Sequence, residues 1–214
     1  KKKQRYYEAK PIHFHKLSNQ RATPFCEHFG VCGGCKWQDM LYDKQLFYKQ
    51  KEVNDNFKHL GKFEFPEIEP ILGAPKTQFY RNKLEFTFSN KKWLTTNPKD
   101  VASQDENMNG LGFHVPGKFD KVVDIDACYL QTESSNEIRD FIKQFTLQNN
   151  FTYFDIRNQV GLMRNLIIRT SSTGELMVIV IFHENIQDKM PVHDFIANGL
   201  AKKNEIDFEE WLVS

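Results

Sequence analysis

Three of the four cysteines of this chain are crowded into one short glycine-rich stretch. The stretch reads FCEHFGVCGGCKWQ over residues 25–38 and contains Cys26, Cys32 and Cys35 with the spacing Cys-x5-Cys-x2-Cys. The fourth cysteine, Cys128, lies 93 residues beyond Cys35. Four thiols can form two disulfides, a tetrahedral zinc site or an iron–sulfur cluster. The cysteines are therefore the first candidates for a chemical role.

The grouping of three neighbouring cysteines and one distant cysteine favours the cluster. Structural zinc sites are usually built from two short ligand pairs of similar size, whereas a cuboidal cluster can take three ligands from one loop and one from a remote segment. Gly30, Gly33 and Gly34 support the cluster, because glycine lets the backbone turn sharply and brings N–H groups near sulfur. Zinc and disulfides stay open as alternatives. His28 could replace a thiol at zinc, but a packing or surface position suits it better.

Composition places the chain among ordinary globular proteins. Hydrophobic residues make up 40% of the sequence and charged residues 27%, with a formal net charge of +1. No apolar run approaches the roughly 18 residues of a membrane span, and no apolar segment follows the basic start as in a secretory signal. We expect a cytoplasmic monomer with no membrane partner. Because the first residue is Lys1, we also expect a piece of a longer chain.

Positive charge is concentrated at the start of the chain. Residues 1–21 hold seven Lys or Arg and one acid, whereas residues 194–214 hold five acids and two lysines. A basic block of this kind can dock phosphate, although a short basic run is more often a solvated surface.

Periodicity predicts helices that flank the cysteine sites. Residues 38–60 lack Gly and Pro, and Gly61 ends this predicted helix. A second helix is predicted from about Asn136 to Gln148, with Ser134 or Ser135 as its N-cap. A last amphipathic segment, Val192 to Lys202, is predicted to cover a sheet. The apolar stripe of the first helix, which we interpret as a packing face, consists of Tyr42, Leu46, Val53, Phe57 and Leu60; that of the second consists of Ile138, Phe141, Ile142 and Phe145.

Runs of β-forming residues predict antiparallel strands. Residues 79–94 are predicted to form a strand and turn with Leu84, Phe86 and Phe88 on one face. Residues 110–128 predict a hairpin with a Pro-Gly turn, and its second strand delivers Cys128.

Three further segments complete this outline. Residues 164–170 and 175–182 predict another hairpin through Gly174, and residues 4–17 predict a strand. Residues 95–109 are predicted to form a loop. The predicted fold class is α+β: an iron–sulfur loop with a long helix, and antiparallel strands and hairpins covered by helices.

No cofactor-binding or catalytic motif is evident in the sequence. A Rossmann-like unit needs a Gly-rich turn between a strand and a helix, but Gly110 and Gly112 precede a hairpin. We therefore expect no complete Rossmann domain. The cysteines are better used as ligands than as nucleophiles.

Several segments, in their order along the chain, resemble one known family. The segments CEHFGVCGGCKWQ, FYRNKLEF and GLGFHVPGKFD, together with Cys128, are similar to the iron–sulfur-containing RNA (uracil-5-)-methyltransferases, above all the 23S rRNA enzymes. The resemblance runs from about Lys1 to Phe182. It implies an N-terminal RNA-binding β-barrel ending at residues 1–20, a central iron–sulfur domain at 21–133 and its truncated α/β continuation at 134–214.

The resemblance also implies cofactors and an activity. A 4Fe-4S cluster would be held by Cys26, Cys32, Cys35 and Cys128. S-adenosylmethionine would bind in a methyltransferase domain that this chain lacks, so we expect no methyl transfer by the chain alone.

RNA, most simply 23S rRNA, is the partner that the resemblance implies. The pattern Tyr-Arg-x-Lys-x-Glu-Phe around residues 80–86 is similar to the part of the family that faces RNA near the target uracil. Phe79 would stack on a base, Arg81 and Lys83 would contact phosphate, and Glu85 would hydrogen-bond a base edge. Without the family, a plain edge strand explains the same residues.

Three rivals stay open at this point. A tRNA uracil-5-methyltransferase is the close one, disfavoured because such enzymes generally lack the cysteine triplet. A non-enzymatic zinc-binding adaptor would explain the absence of a catalytic motif. A ferredoxin-like electron carrier would bind no RNA.

Overall fold

A computed structural model describes residues 6–9, 11–94 and 107–183. The chain divides into two compact units. The first consists of Lys1–Phe25 and Trp37–Gly73, and the second of Cys26–Lys36 and Ala74–Ser214. All four cysteines belong to the second unit. The predicted helix at 192–202 and most of the predicted loop at 95–109 lie outside the described residues.

One helix dominates the first unit. Helix α1 spans Tyr42–Asn56 and continues into a single π-helical turn at Phe57–Gly61, after which Lys62 adopts a left-handed conformation. The predicted helix is thus confirmed, but it begins four residues late. Met40 instead forms a bridge with Arg21, which keeps the preceding backbone extended.

The apolar stripe of α1 is covered only in its first half, so its interpretation as a packing face is wrong for the later residues. Tyr42 and Leu46 are half-buried, whereas Val53 is 44% exposed and Leu60 78% exposed. Phe57 contacts the rings of Phe63 and Phe65, which are close in sequence, at centroid distances of 5.7 and 5.3 Å. A helical face is buried only where another element packs against it.

The predicted strand at residues 4–17 is also not seen. Between Tyr6 and Leu17 the described residues form no strand, and Tyr7 alone takes part in an isolated bridge. A stable strand needs several consecutive residues paired with its neighbours. A single bridge at Tyr7 does not meet that need.

The second unit is built on a five-stranded antiparallel sheet. Its order is β3-β2-β1-β4-β5. Strand β1 pairs with both β2 and β4, and the two predicted hairpins, β2–β3 and β4–β5, are confirmed. The second strand of the first hairpin ends at Asp124, so Cys128 lies beyond the strand and not within it as predicted. The elements are β1 Lys83–Ser89, β2 Gly110–His114, β3 Val122–Asp124, α2 Glu133–Gln148, β4 Met163–Thr170 and β5 Leu176–Phe182.

One face of the sheet packs into the core with α2. Leu84, Phe86 and Phe88 alternate along β1 and are 0–3% exposed, as their period-two spacing predicts. They share a single apolar cluster with Ile138 and Ile142 of α2. Each such side chain contributes about 1.5–3 kcal/mol by leaving water.

Helix α2 begins three residues before the predicted start. Thr132 precedes its first turn and makes no side-chain cap, and the hydroxyl of Ser135 donates to Gln131 Oε1 at 2.6 Å. Ser135 is therefore buried inside the helix and is not its N-cap. Among the described residues, none of the helices is long and apolar enough to cross a membrane.

Candidate metal centre and nucleic-acid interface

The cysteine loop lies against the β2–β3 hairpin. The Gly33 N–H donates to the His114 carbonyl oxygen at 3.0 Å. An added Cβ at Gly33 would lie 2.4 Å from that oxygen. At Gly34 an added Cβ would lie 3.4 Å from Cys32 Sγ and 3.3 Å from the Phe113 ring. Gly33 is therefore required by the close approach of the loop, and Gly34 lies in a tight position.

The fold brings the distant Cys128 to the three cysteines of the loop. Burial raises the pKa of the Cys128 thiol, and the neighbouring Cys35 and Cys26 raise it further. Burial raises the pKa of Cys32 to about 11, although the Gly34 N–H, 3.3 Å from its sulfur, acts in the opposite direction. No disulfide joins any of the four cysteines. Cys35 packs against the apolar cluster that contains Cys128, so the loop and the fourth cysteine lie close together.

The donor types of the cysteine site are those of zinc or of an iron–sulfur cluster. Zinc would need its four ligands about 2.0–2.3 Å from one centre, whereas a cluster is bound by thiolates alone around a larger body. The four cysteines form no disulfide and three of them lie in a glycine-rich loop, so their chemistry allows either group. In the part of the chain that the structure describes, no group of three or more His, Cys, Asp or Glu side chains is arranged to hold a metal ion.

His28 lies at the edge of this site. Its Nδ1 is 3.9 Å from Cys26 Sγ and its Nε2 is 3.5 Å from Asp126 Oδ2. The side chain is 15% exposed. His28 therefore packs between the loop and the segment before Cys128.

A buried polar group that the sequence reasoning missed holds the backbone at Cys128. The Cys128 N–H donates to Asn136 Oδ1 at 2.9 Å, and Asn136 Nδ2 donates to the Cys128 carbonyl at 3.2 Å. Arg139, which is fully buried, donates to the same Asn136 oxygen at 2.9 Å. The sequence does contain a signal for this group, because Asn136 and Arg139 are polar residues three positions apart on the helical turns that carry Ile138 and Ile142.

The candidate RNA-contact residues begin just before β1, next to Cys128. Phe79 is 41% exposed and has a positive φ of 54°. Its N–H donates to the Tyr129 carbonyl at 2.8 Å, and the Arg81 N–H donates to the Leu130 carbonyl at 2.8 Å. This segment is thus hydrogen-bonded to the two residues that follow the fourth cysteine.

Lys83 and Glu85 lie on the exposed face of β1. Lys83 Nζ is 3.6 Å from Glu85 Oε2, and Asn165 Nδ2 donates to Glu85 Oε1 at 3.4 Å. Arg169 of β4 lies opposite Lys83 in the strand register and is exposed. The sequence did not reveal Arg169 as part of this surface, because strand register is set by tertiary pairing.

The chain is similar to curated relatives over most of its length, although no family model matches it. It is 56% identical over 181 residues to an uncharacterized RNA methyltransferase of Bacteroides thetaiotaomicron, covering 85% of this chain and 40% of that protein. A second, from Porphyromonas gingivalis, is 50% identical over 210 residues, covering 95% and 44%. These relatives support the RNA methyltransferase family. The chain spans less than half the length of either.

A solved structure of the same kind resembles the chain. It is the tRNA (uracil-54, C5)-methyltransferase of Pyrococcus abyssi in complex with S-adenosyl-L-homocysteine, with a TM-score of 0.55 and 27% identity. The match covers 80% of this chain and 34% of that protein. The mixed α+β fold of an RNA methyltransferase is therefore supported for this chain.

Proposed function

We propose that this chain is the iron–sulfur and RNA-recognition region of an S-adenosylmethionine-dependent RNA uracil-5-methyltransferase that acts on rRNA, with 23S rRNA as its substrate. The observation that carries the proposal is the packing of a glycine-rich loop with three cysteines against the hairpin that precedes Cys128, in a protein similar to RNA methyltransferases. The cytoplasmic location and the monomeric state belong to the same proposal.

The cysteines would hold the cluster, and the protein around it would present RNA. Cys26, Cys32 and Cys35 would supply three ligands from the loop and Cys128 the fourth. Once bound, the cluster would supply a covalent cross-link between the loop and a remote segment. Methylation at a uracil carbon moves no net electrons, so a structural role suits the group better than electron transfer.

The cross-link would fix the RNA-contact segment, since that segment is bonded to the residues after Cys128. The hydrogen bonds from Phe79 to Tyr129 and from Arg81 to Leu130 join the two. Phe79 would stack on an extruded base, and Arg81 and Lys83 would contact phosphate oxygens. The same region holds a further cation, Arg169, that would extend the phosphate contact.

Glu85 would accept hydrogen bonds from a base edge. Its carboxylate is exposed and is held by Lys83 and Asn165. A carboxylate accepts a hydrogen bond from the exocyclic amine of cytosine or from the N–H of uracil. The neighbouring uracil would then be presented to the methyl donor by the rest of the protein.

Methyl transfer itself is proposed for the complete protein. The neighbouring solved structure is in complex with S-adenosyl-L-homocysteine, which supports S-adenosylmethionine as the donor.

The domains proposed are the end of a barrel at 1–20, the iron–sulfur domain at 21–133 and its continuation at 134–214.

A tRNA substrate is the second candidate. It is favoured by one observation: the solved structure that resembles this chain is a tRNA (uracil-54, C5)-methyltransferase. The cysteine sites and the exposed cations of β1 suit either RNA.

The substrate test uses the complete protein that contains this chain. It is incubated with S-adenosylmethionine and unmodified 23S rRNA or tRNA, and 5-methyluridine is measured by mass spectrometry of digested RNA. Product in rRNA supports the first candidate, and product in tRNA alone supports the second. No 5-methyluridine in either RNA would overturn the proposal.

The metal test uses anaerobically purified protein. We expect iron and acid-labile sulfide in equal amounts and a brown colour. Cys128→Ser should lose most of both, whereas His28→Ala should retain them because His28 is not proposed as a ligand. Stoichiometric zinc without sulfide would favour the adaptor, and loss of metal in His28→Ala would place His28 in the ligand set.

A further inference from the structure

Arg139 is a fully buried cation next to the segment that carries Cys128. We propose that it is a positioning residue of the metal centre, which holds the Cys128 backbone through Asn136 and places a positive charge beside the bound thiolates. This inference rests on the proposed cluster. It adds a residue that neither the cysteine pattern nor the comparisons assign.

Two hydrogen bonds link Arg139 to the segment that carries the fourth proposed ligand. Nη1 donates to Asn136 Oδ1 at 2.9 Å, the same oxygen that accepts the Cys128 N–H. Nη2 donates to the Asp126 carbonyl at 2.7 Å, two residues before the cysteine. The guanidinium therefore binds the backbone directly at Asp126 and, through the Asn136 side chain, at Cys128.

The side chain has no exposed surface in this position. Its relative exposure is 0%, and its guanidinium lies 5.7 Å from the centroid of the Phe86 ring. Taking a charged group out of water is unfavourable unless a partner compensates it. A buried arginine at this place needs an anion.

The visible anion, Asp140, compensates the charge only in part. Asp140 Oδ1 accepts from Arg139 at 2.7 and 3.1 Å, but that side chain is 45% exposed and is screened by water. Arg139 instead reaches the fourth proposed ligand through its hydrogen bonds: it binds the Asp126 carbonyl directly, and it binds Asn136, which hydrogen-bonds both backbone groups of Cys128. A cluster with four thiolates would carry net negative charge. It would therefore be the second anion beside this arginine.

Removing the charge should shift the potential of the cluster. In Arg139→Gln the midpoint potential, measured by protein-film voltammetry, should become more negative, because loss of a nearby cation disfavours the added electron. Asp140→Asn should shift it in the positive direction. Arg139→Lys keeps the charge and should restore most of the wild-type potential.

A matched control comes from the same helix. Lys143→Gln also removes a cation from α2, but Lys143 binds Asp124 at 2.7 Å and does not contact Asn136. It should leave the potential unchanged. A purely structural Arg139 would not produce shifts of opposite sign in Arg139→Gln and Asp140→Asn.

Thermal unfolding supplies a second readout that needs no reversible reduction. Cluster loading should raise the midpoint of unfolding less in Arg139→Gln than in the wild type, since the variant loses an interaction made only in the loaded state. Equal losses in loaded and metal-free protein, with no change in potential, would overturn the inference. A wild-type protein without iron or sulfide would instead overturn the proposed function, and this inference with it.

Discussion

Gly33 decides how closely the cysteine loop can approach β2. Its N–H bonds the His114 carbonyl, and an added Cβ would meet that same oxygen at 2.4 Å. A backbone oxygen cannot turn aside as a flexible side chain can. The position of the loop, and with it three of the proposed ligands, therefore depends on the absence of one methyl group.

Gly33→Ala should destabilise the second unit and weaken its hold on metal. We expect a loss of about 1–3 kcal/mol, the cost typical of forcing extra atoms into a packed site, together with a lower iron content per chain. Urea unfolding and iron analysis measure both.

Gly110→Ala is the control for this substitution. Its added Cβ would lie 3.3 Å from Lys92 Cβ, a much milder contact than the 2.4 Å to a backbone oxygen at Gly33. It should cost less than Gly33→Ala. Equal losses of stability and iron in the two variants would contradict the interpretation.

Asp155 links the turn between α2 and β4 to the end of β1 through hydrogen bonds. Its carboxylate accepts from Lys91 Nζ at 2.8 Å and from Asn90 Nδ2 at 3.2 Å. It also accepts from the Arg157 N–H at 2.8 Å within the turn. The hydrogen bond from Lys91, and to a smaller extent the one from Asn90, holds the pKa of Asp155 well below its usual range. One side chain thus joins two elements that are far apart in sequence.

This contact should make stability fall in acid. A carboxylate with a lowered pKa contributes its stabilisation fully above its unfolded-state pKa of about 3.9, and the contribution is lost as the pH falls below that value. Asp155→Asn should therefore be less stable than the wild type near pH 7. It should lose less additional stability between about pH 5 and 2.

Urea unfolding at several pH values measures this difference. Glu52→Gln, at an exposed position of α1, is the control and should follow the wild-type pH dependence. If Asp155→Asn loses stability in acid as steeply as the wild type, the ion pair with Lys91 does not carry the effect.

The whole chain combines a near-neutral charge with a local cationic surface. Its formal net charge is +1, yet Arg81, Lys83 and Arg169 lie together around the exposed start of β1. RNA binding through such a patch depends on phosphate contacts and counterion release. Binding by this chain should therefore be weak and sensitive to salt.

The salt dependence of RNA binding should measure how much these cations contribute to phosphate contacts. With a uracil-containing RNA oligonucleotide, the double variant Arg81→Gln/Lys83→Gln should bind more weakly, and the slope of log K against log salt should become shallower by about 1–2. Filter binding or fluorescence anisotropy at several salt concentrations measures the slope.

Lys51→Gln serves as the control for this double variant. Lys51 pairs with Asp55 on α1 in the first unit, so its removal should leave the slope unchanged. An unchanged slope in the double variant would remove β1 from the RNA interface.

The absence of methyl transfer by the 214-residue chain alone stays a prediction.

The sequence by itself determined the local elements and the candidate ligands. Alternation along β1, the apolar spacing of α2 and the hairpin through Gly174 each depend on neighbours within a few residues, so their pattern is visible in the chain. The crowding of three cysteines is visible in the same way. That they bind a cluster stays a prediction.

The tertiary structure alone decided what long-range packing controls. It placed Asn136 and Arg139 behind Cys128, set Arg169 opposite Lys83, and left the later half of the apolar stripe of α1 exposed. These outcomes depend on which distant segments meet, and a helical or strand period carries no information about the partner across the interface. For the same reason, the need for glycine at Gly33 became clear only when the His114 carbonyl lay against it.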